Sequence, residues 1–435
     1  VWNIASVLLA VGLLTIMIAW GKVQPLLAFV VAAMVAALML GMPLAKIPGA
    51  IEKGIGDLLG SLVVVICVGA VFGKLIADSG AARRIAISLI SGMGPSRIPI
   101  AMTITGFVVG LPLYYNVGFV LMIPLIFSMV YQSGRPAVAL GMPLLAGLSI
   151  AHGFLPPHPS ATALVAAVHA DMGKTLIYGL IVAIPTLIIA GPIFSMTLTK
   201  IKANPAAIFL EAPRLDHELP GTFISFFTAL LPVVLLAGLT GIQLARPDLA
   251  TSLAFLSSPL VVMLVSYGIA ILTLGVFQRT PLPTIMKSAQ EAMREISPIL
   301  MIIAGAGALK QVMIESGVSA QLGAQLASMP VPPLVLGWGV ATILRICLGS
   351  AAVAGVTAAG IVTPLVQTSH VDPNLMVLAV GAGSLMCSHV NDSGFWMFKE
   401  YFGLSLKDTF RSWSAMETIV GVFGLLFVLL LSLFV

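Results

Sequence analysis

The sequence predicts an all-α polytopic membrane protein made of two inverted-topology repeats, each holding a re-entrant hairpin and a broken transmembrane helix. Three observations carry that prediction. Of 435 residues, 59% are hydrophobic and 9% charged, against about 45–50% and about 25% in a soluble domain. Long apolar runs recur between short charged clusters, and the chain matches itself at a nearly constant shift. A soluble fold of this length would lack the charge to cover its surface. The 42 Gly and 28 Pro would break soluble helices but are tolerated in spanning ones, where neighbours satisfy the freed backbone groups. The net charge of +5 comes without a dense basic run, so loop orientation explains it and nucleic acid is excluded as a partner. Cys67, Cys347 and Cys387 stand apart with no metal-type spacing and read as packing residues.

Windows of about 20 apolar residues place regular spans at 4–20, 24–42, 59–77, 175–199, 221–242, 253–277, 297–316 and 412–434. The first lacks a basic n-region and a small-residue cleavage pattern, so it reads as a span and not a signal peptide. Four further regions, 98–132, 137–168, 332–367 and 374–398, are apolar but interrupted by Gly, Pro, Asn, His and Asp. Re-entrant hairpins and helices broken at membrane depth have this pattern. Segments 45–57 and 284–296 mix charge with apolar residues and suit helices lying along the interface, with solvated loops as the alternative. The polar stretch 200–220 reads as a cytoplasmic linker between the two halves.

The self-match pairs KLIADSG (74–80) with QVMIESG (311–317), Pro43-Leu44 with Pro281-Leu282, and Pro124-Leu125 with Pro364-Leu365. The offsets of 237, 238 and 240 hold one register across both halves, as independent coincidences would not. Loop 78–97 carries Arg83, Arg84 and Arg97 while its counterpart 318–334 carries no Lys or Arg, which favours inversion. With loop 78–97 cytoplasmic, fourteen of the 21 Lys and Arg residues face inside and four outside. Lys74, Lys310 and Arg345 fall in or near membrane segments, and both termini become periplasmic or extracellular.

Inverted repeats with such interruptions form the plan of a secondary transporter, with function where the breaks meet. Half-helix N-termini there carry partial positive charge suited to an anion, which makes an organic carboxylate the first substrate class to consider. The first break reads HGFLPPHPSAT (152–162), where Pro156, Pro157 and Pro159 forbid a regular helix. His152 and His158 flank it and could hydrogen-bond a carboxylate or titrate with it; capping the broken backbone is the bland alternative. No nearby acid or cysteine completes a zinc set. In the second half a polar cluster, SHVNDS (388–393), interrupts an apolar span. Asn391 and Ser393 offer donors and acceptors for hydroxyl groups, and Asp392 could bind a proton or cation. Asn116 sits at the tip of the first hairpin beside two tyrosines, and Ser350 lies in the small-residue tip of the second. Arg345 could pair with a substrate carboxylate, with snorkelling from the outer end of its arm as the favoured reading. Glu417, near the cytoplasmic end of the last span, and the matched Asp78 and Glu315 are read as structural.

At these residues the chain resembles the gluconate permease family, the gluconate:proton symporters of the ion transporter superfamily. The resemblance runs nearly end to end on PLYYNVGFVLMIPL (112–125), HGFLPPHP (152–159), ADMGKTLIYG (170–179) and GSLMCSHVNDSGFWMFKEYFGL (383–404). It implies uptake of gluconate or a related sugar acid across a bacterial inner membrane, coupled to protons, by a homodimer moving in an elevator-like manner. The family's His-flanked proline motif maps to His152 through Pro159, and its His-Val-Asn-Asp motif to His389, Val390, Asn391 and Asp392. The chain departs from the family where Asn116 replaces a frequent acid, where Ala352 replaces the threonine of Gly-Ser-Ala-Thr, and at Ser160 and Ala161.

The resulting expectation is a sugar-acid:proton symporter. The substrate would touch His152, Pro157, His158, Asn116, Ser350, Asn391 and Ser393, with Asp392 and His158 serving the coupled proton. It requires no cofactor, metal or covalent chemistry, so the chain is not read as an enzyme. Displacement would carry 59–199 and 297–435 against a scaffold of 1–58 and 221–296, joined by the linker 200–220, with dimer contacts on the scaffold and lipid around it. A sodium-coupled carrier of other hydroxy acids or polar amino acids, a membrane-embedded enzyme and a passive channel are the competing readings.

Overall fold

The structure, a computed structural model, describes residues 2–94, 97–113, 115–203, 219–318, 321, 328–390 and 392–435. Helix makes up 84%, and the described residues contain no strand. In chain order the helices are α1 (Trp2–Ala19), α2 (Pro25–Met39), α3 (Ile47–Asp78), α4 (Ala81–Met93), α5 (Ile98–Gly110), α6 (Tyr115–Ser133), α7 (Ala137–Phe154), α8 (Pro159–Ala167) and α9 (Met172–Ile188). There follow α10 (Thr222–Ala245), α11 (Ala250–Ser257), α12 (Pro259–Ala270), α13 (Leu282–Glu315), α14 (Pro333–Leu348), α15 (Ala351–Ser369), α16 (Pro373–Leu385), α17 (Ser393–Phe402), α18 (Leu406–Thr409) and α19 (Ala415–Leu431). Many begin where the sequence says they must: Pro25, Pro99, Pro159, Pro259, Pro333 and Pro373 stand in first turns, where a missing N–H costs nothing. Asp171 and Asp372 cap α9 and α16 by accepting from Lys174 N and Asn374 N at 2.7 Å each.

Among the described residues seven helices are long and apolar enough to cross a membrane, or eight if the bent pair Leu44–Gly60 and Leu62–Asp78 counts as one. The chain is a multi-pass membrane protein. Both interrupted regions of each half appear as hairpins and breaks. The arms α5 and α6 are joined through the turn at 111–113, α14 and α15 meet at Gly349, and short gaps separate α7 from α8 and α16 from α17. At 13 residues α5 spans about 20 Å, short of a bilayer core of about 30 Å. Gly349 has φ of 76°, the left-handed conformation glycine adopts without steric cost, and this closes the second hairpin.

Two expectations need correction. Segment 284–296 is not a separate interfacial helix but the first part of α13, one helix of 34 residues, and 47–57 is the first part of the 32-residue α3, which bends by 42° between Gly60 and Leu62. They continue because they pack on each other along their length. Gly54 faces Gly307, Leu58 also meets Gly307, and Val71 clusters with Ala289 and Ala292, so the two helices run antiparallel. Span 253–277 is divided, because Pro259 opens a new helix after Ser258 and the spanning piece is Pro259–Gln278. Most of the linker, 204–218, lies outside the described residues.

The hairpins and broken helices form the centre. Every residue of α7 except His152 is buried, as is all of α16 after Pro373. Close backbone approach sets their positions. A Cβ at Gly106 would lie 1.9 Å from Leu144 O, seating α5 on α7, and one at Gly383 would lie 2.3 Å from Trp338 O, seating α16 on α14. A Cβ at Gly381 would lie 2.4 Å from Gly153 O, so the two broken helices cross next to both breaks. By contrast α10 exposes Phe223 and Val234, an apolar face suited to lipid.

Candidate functional site

Around the first break, α7 delivers His152 in its last turn and α8 starts with His158 as its N-cap. His152 Nδ1 and His158 Nε2 are 3.3 Å apart and share a hydrogen bond, with the rings edge to face at 4.4 Å. Pro157 and His158 also line a cavity with Leu111 and Leu113 of the first hairpin tip, Phe72 of α3 and Met263 of α12. Tyr115, the first residue of α6, packs its ring 5.9 Å from His152 and 6.1 Å from Trp413.

The second break is wired to both hairpins' neighbours. Asp392 caps α17, its Oδ1 accepting from Gly394 N at 3.0 Å. Its Oδ2 accepts from Ser388 Oγ and from Arg345 Nη2 of α14. Ser388 in turn accepts from Trp413 Nε1 at 2.7 Å, and its carbonyl accepts from Ser414 Oγ. His389 bonds Ile346 O at 3.0 Å near the end of α14. Arg345 is 3% exposed, so it does not snorkel: the only cation of its arm turns inward because Asp392 offers a charge partner there. Removing one member of such a buried pair costs about 3–5 kcal/mol, since the other is left uncompensated.

Glu417 is likewise 3% exposed, inside the protein and not at a membrane surface. Ser149 Oγ of α7 lies 2.7 and 2.9 Å from its two oxygens. Arg345 and Asp392 are near enough to act electrostatically on His152, Tyr115 and Glu417, so both breaks and the last helix share one field.

Thus His152, Pro157, His158 and Asp392 fall in one central region at the two breaks. Ser350 caps α15, accepting from Val353 N at 3.4 Å, while Ser393 opens α17 and is exposed. Asn116 is the second residue of α6 and its side chain is outside the description; Asn391 lies outside the described residues altogether. Sequence reasoning set Arg345 aside as snorkelling and Glu417 as structural. A signal was present in each: a lone cation in an apolar hairpin, and an acid in the first turn of an otherwise apolar last helix. Among the described residues no group of three or more His, Cys, Asp or Glu is placed to hold a metal.

At the far end of α8, Lys310 Nζ of α13 donates to Ala167 O at 2.8 Å and lies 3.4 Å from His169 Nε2. A cation there complements the helix's negative end. His169, in the turn outside the spans, is held below its ordinary value, first by burial and then by the Lys310 ammonium.

The whole fold is similar to that of the solved YdaH transporter of Alcanivorax borkumensis, with a TM-score of 0.68 over 94% of this chain and 97% of that one at 16% identity. In sequence the chain is 43% identical over 434 residues to a high-affinity gluconate transporter of Escherichia coli K12, covering 98% of this chain and 99% of the relative. It is 43% identical to the Gnt-II system L-idonate transporter of the same organism, covering 97% of each. It is 42% identical to a gluconate permease of Bacillus subtilis 168, covering 99% of each. The family of GntP permeases matches residues 2–434, and to that family the chain belongs.

Proposed function

We propose that the protein imports gluconate or a closely related sugar acid by proton symport across a bacterial inner membrane. The observation that carries this reading is the meeting of two broken helices at a set of ionisable groups, with His158 and Arg345 buried and His152 and Asp392 half-buried. Ionisable side chains at such depth are costly and serve a pathway or a coupled ion. Relatives named for gluconate and L-idonate, both polyhydroxylated monocarboxylates, support the substrate class. In this reading His152, Pro157 and His158 contact the carboxylate end, while Asn116, Ser350, Asn391 and Ser393 meet hydroxyl groups. Asp392 and His158 are the groups through which the proton enters.

Two features support inverted-topology repeats: α3 and α13 run antiparallel, and hairpin, break and long final helix follow each of them in the same order. The moving body would be 59–199 with 297–435 and the scaffold 1–58 with 221–296, in a homodimer joined through the scaffold. The termini would be periplasmic. Proteoliposomes test this. Labelled gluconate should accumulate above its external concentration under a pH gradient, and sugar acids should compete better than neutral polyols or amino acids. Accumulation driven only by a sodium gradient would overturn the proton reading, and product formation by detergent-solubilised protein would overturn the carrier reading.

A further inference from the structure

We propose that the Arg345 guanidinium, within electrostatic reach of His152, is the charged receptor that the substrate's carboxylate meets beside the His152–His158 pair, and that Asp392 is its resident counter-ion, displaced when substrate binds. This rests on the reading of the chain as a carrier of carboxylic acids. A guanidinium presents five N–H donors in a planar fork that matches a carboxylate through two parallel bonds. Asp392 uses little of it. One oxygen meets Nη2, and the other is turned away to Gly394 N. Nε and Nη1 of Arg345 are buried with no hydrogen-bond partner among the described residues. A buried charged donor left this way carries an uncompensated desolvation cost, so a ligand bringing two oxygens has free energy to gain.

The resident carboxylate also shows that this point accepts the chemistry. Asp392 is held by an arginine, the Ser388 hydroxyl and a backbone N–H at the start of α17, all donors that favour an anion. A substrate carboxylate competes for the first of these.

The charge balance links this exchange to a proton. Arg345 with ionised Asp392 is neutral. An arriving monoanion leaves one excess negative charge unless Asp392 takes up a proton, and burial makes that excess expensive. Glu417 on α19, Tyr115 on α6 and His152 on α7 face the pair, and His389 lies on the same break; α15 and α16 contribute no ionisable side chain. Lys399 of α17 is held by Glu400 at 2.7 Å and Arg411, beside Trp413, is exposed, so among the described residues no second cation stands ready to neutralise a freed Asp392 carboxylate in place of a proton. One proton is therefore bound per anion and released with it, with no covalent bond to the substrate made or broken.

The test uses purified full-length protein, with gluconate, other small monocarboxylates and the neutral amide of gluconate as probes. In the wild type, gluconate affinity should weaken as pH rises, approaching about tenfold per pH unit at the one-proton limit. Asp392→Asn should bind gluconate at least as tightly, lose that pH dependence, and keep counterflow exchange while losing pH-driven accumulation. The double variant Arg345→Gln with Asp392→Asn leaves no orphan charge. It should fold with wild-type melting behaviour yet bind gluconate about 100-fold more weakly, approaching the amide, as loss of a charged bidentate contact predicts. A double variant that binds gluconate like the wild type overturns the proposal, as does an Asp392→Asn variant whose affinity still follows pH. If the wild type binds another acid of the panel but not gluconate, the sugar-acid reading fails alone, and the variant comparison is read with that acid. If it binds no acid, both fail.

Discussion

The reciprocal glycine contact between α3 and α13 permits a worked stability prediction. A Cβ at Gly54 would lie 2.3 Å from Gly307 O, and one at Gly307 would lie 2.3 Å from Gly54 O. Ordinary contacts begin near 3.4 Å, so either alanine must part the helices by about 1.1 Å along that line. Both neighbouring groups are backbone, so no side chain can rotate away. Overpacking of this kind costs about 1–3 kcal/mol, because every dispersion contact along the seam is loosened together. Once the helices have parted, the second alanine occupies the same gap. Gly54→Ala with Gly307→Ala should therefore cost clearly less than the sum of the singles, a coupling of about 1 kcal/mol or more. Gly238→Ala in α10 is the control: nothing lies within 4 Å of the added Cβ, and helix propensity alone favours alanine by up to about 1 kcal/mol. Thermal unfolding in detergent, followed with a thiol-reactive dye, gives the readout, since Cys67 in α3 and Cys387 are partly buried while Cys347 supplies the exposed background. Single variants that melt with the control, or additive costs in the double, would refute the backbone-to-backbone seam.

Other outcomes follow from the same geometry. Ser149→Ala should lower stability by about 1–3 kcal/mol by stripping Glu417 of its hydroxyl partner, whereas Glu417→Gln, still able to accept that bond, should melt nearer the wild type; equal melting of wild type and Ser149→Ala counts against the contact. His158→Ala should abolish gluconate uptake while membrane expression holds, as judged by quantitative blotting beside transport. His169 has its folded value depressed, so the unfolded chain binds the proton more readily. Its contribution to stability is full above the unfolded value of about 6.5 and is lost as pH falls through the lower folded value; melting curves of His169→Gln against pH should lack that loss. Lys310→Met removes one of the two causes and should narrow the window, while also freeing the Ala167 carbonyl at the end of α8.

Much of the architecture was legible because membrane helices announce themselves by hydropathy and their interruptions by proline. The breaks at 155–158 and 386–390 and the tips at 111–113 and 349 fall inside the regions the sequence marked. Element boundaries went astray where local signals were ambiguous. The charged residues of 45–57 and 284–296 look interfacial, yet α3 and α13 continue through them because each finds the other as a packing partner. The partial site was legible for a similar reason. His152 and His158 are six residues apart, so a local motif could foretell their meeting, whereas Arg345 and Asp392 are 47 apart and Ser149 and Glu417 are 268 apart.

The sequence by itself determined the compartment, the helical class, the places where helices must break and, through long matching motifs, the family. These depend on residue type and near neighbours: hydropathy for the spans, missing N–H groups at proline, and offset for the repeats. Only the tertiary structure decided which way the rare charges face. Arg345 sits where a one-dimensional reading sends it to the membrane surface, and Glu417 at what looks like a span's edge. Both turn inward because an acid and a hydroxyl from distant segments wait there, and in a low-dielectric interior a partner within hydrogen-bonding reach outweighs the route to water.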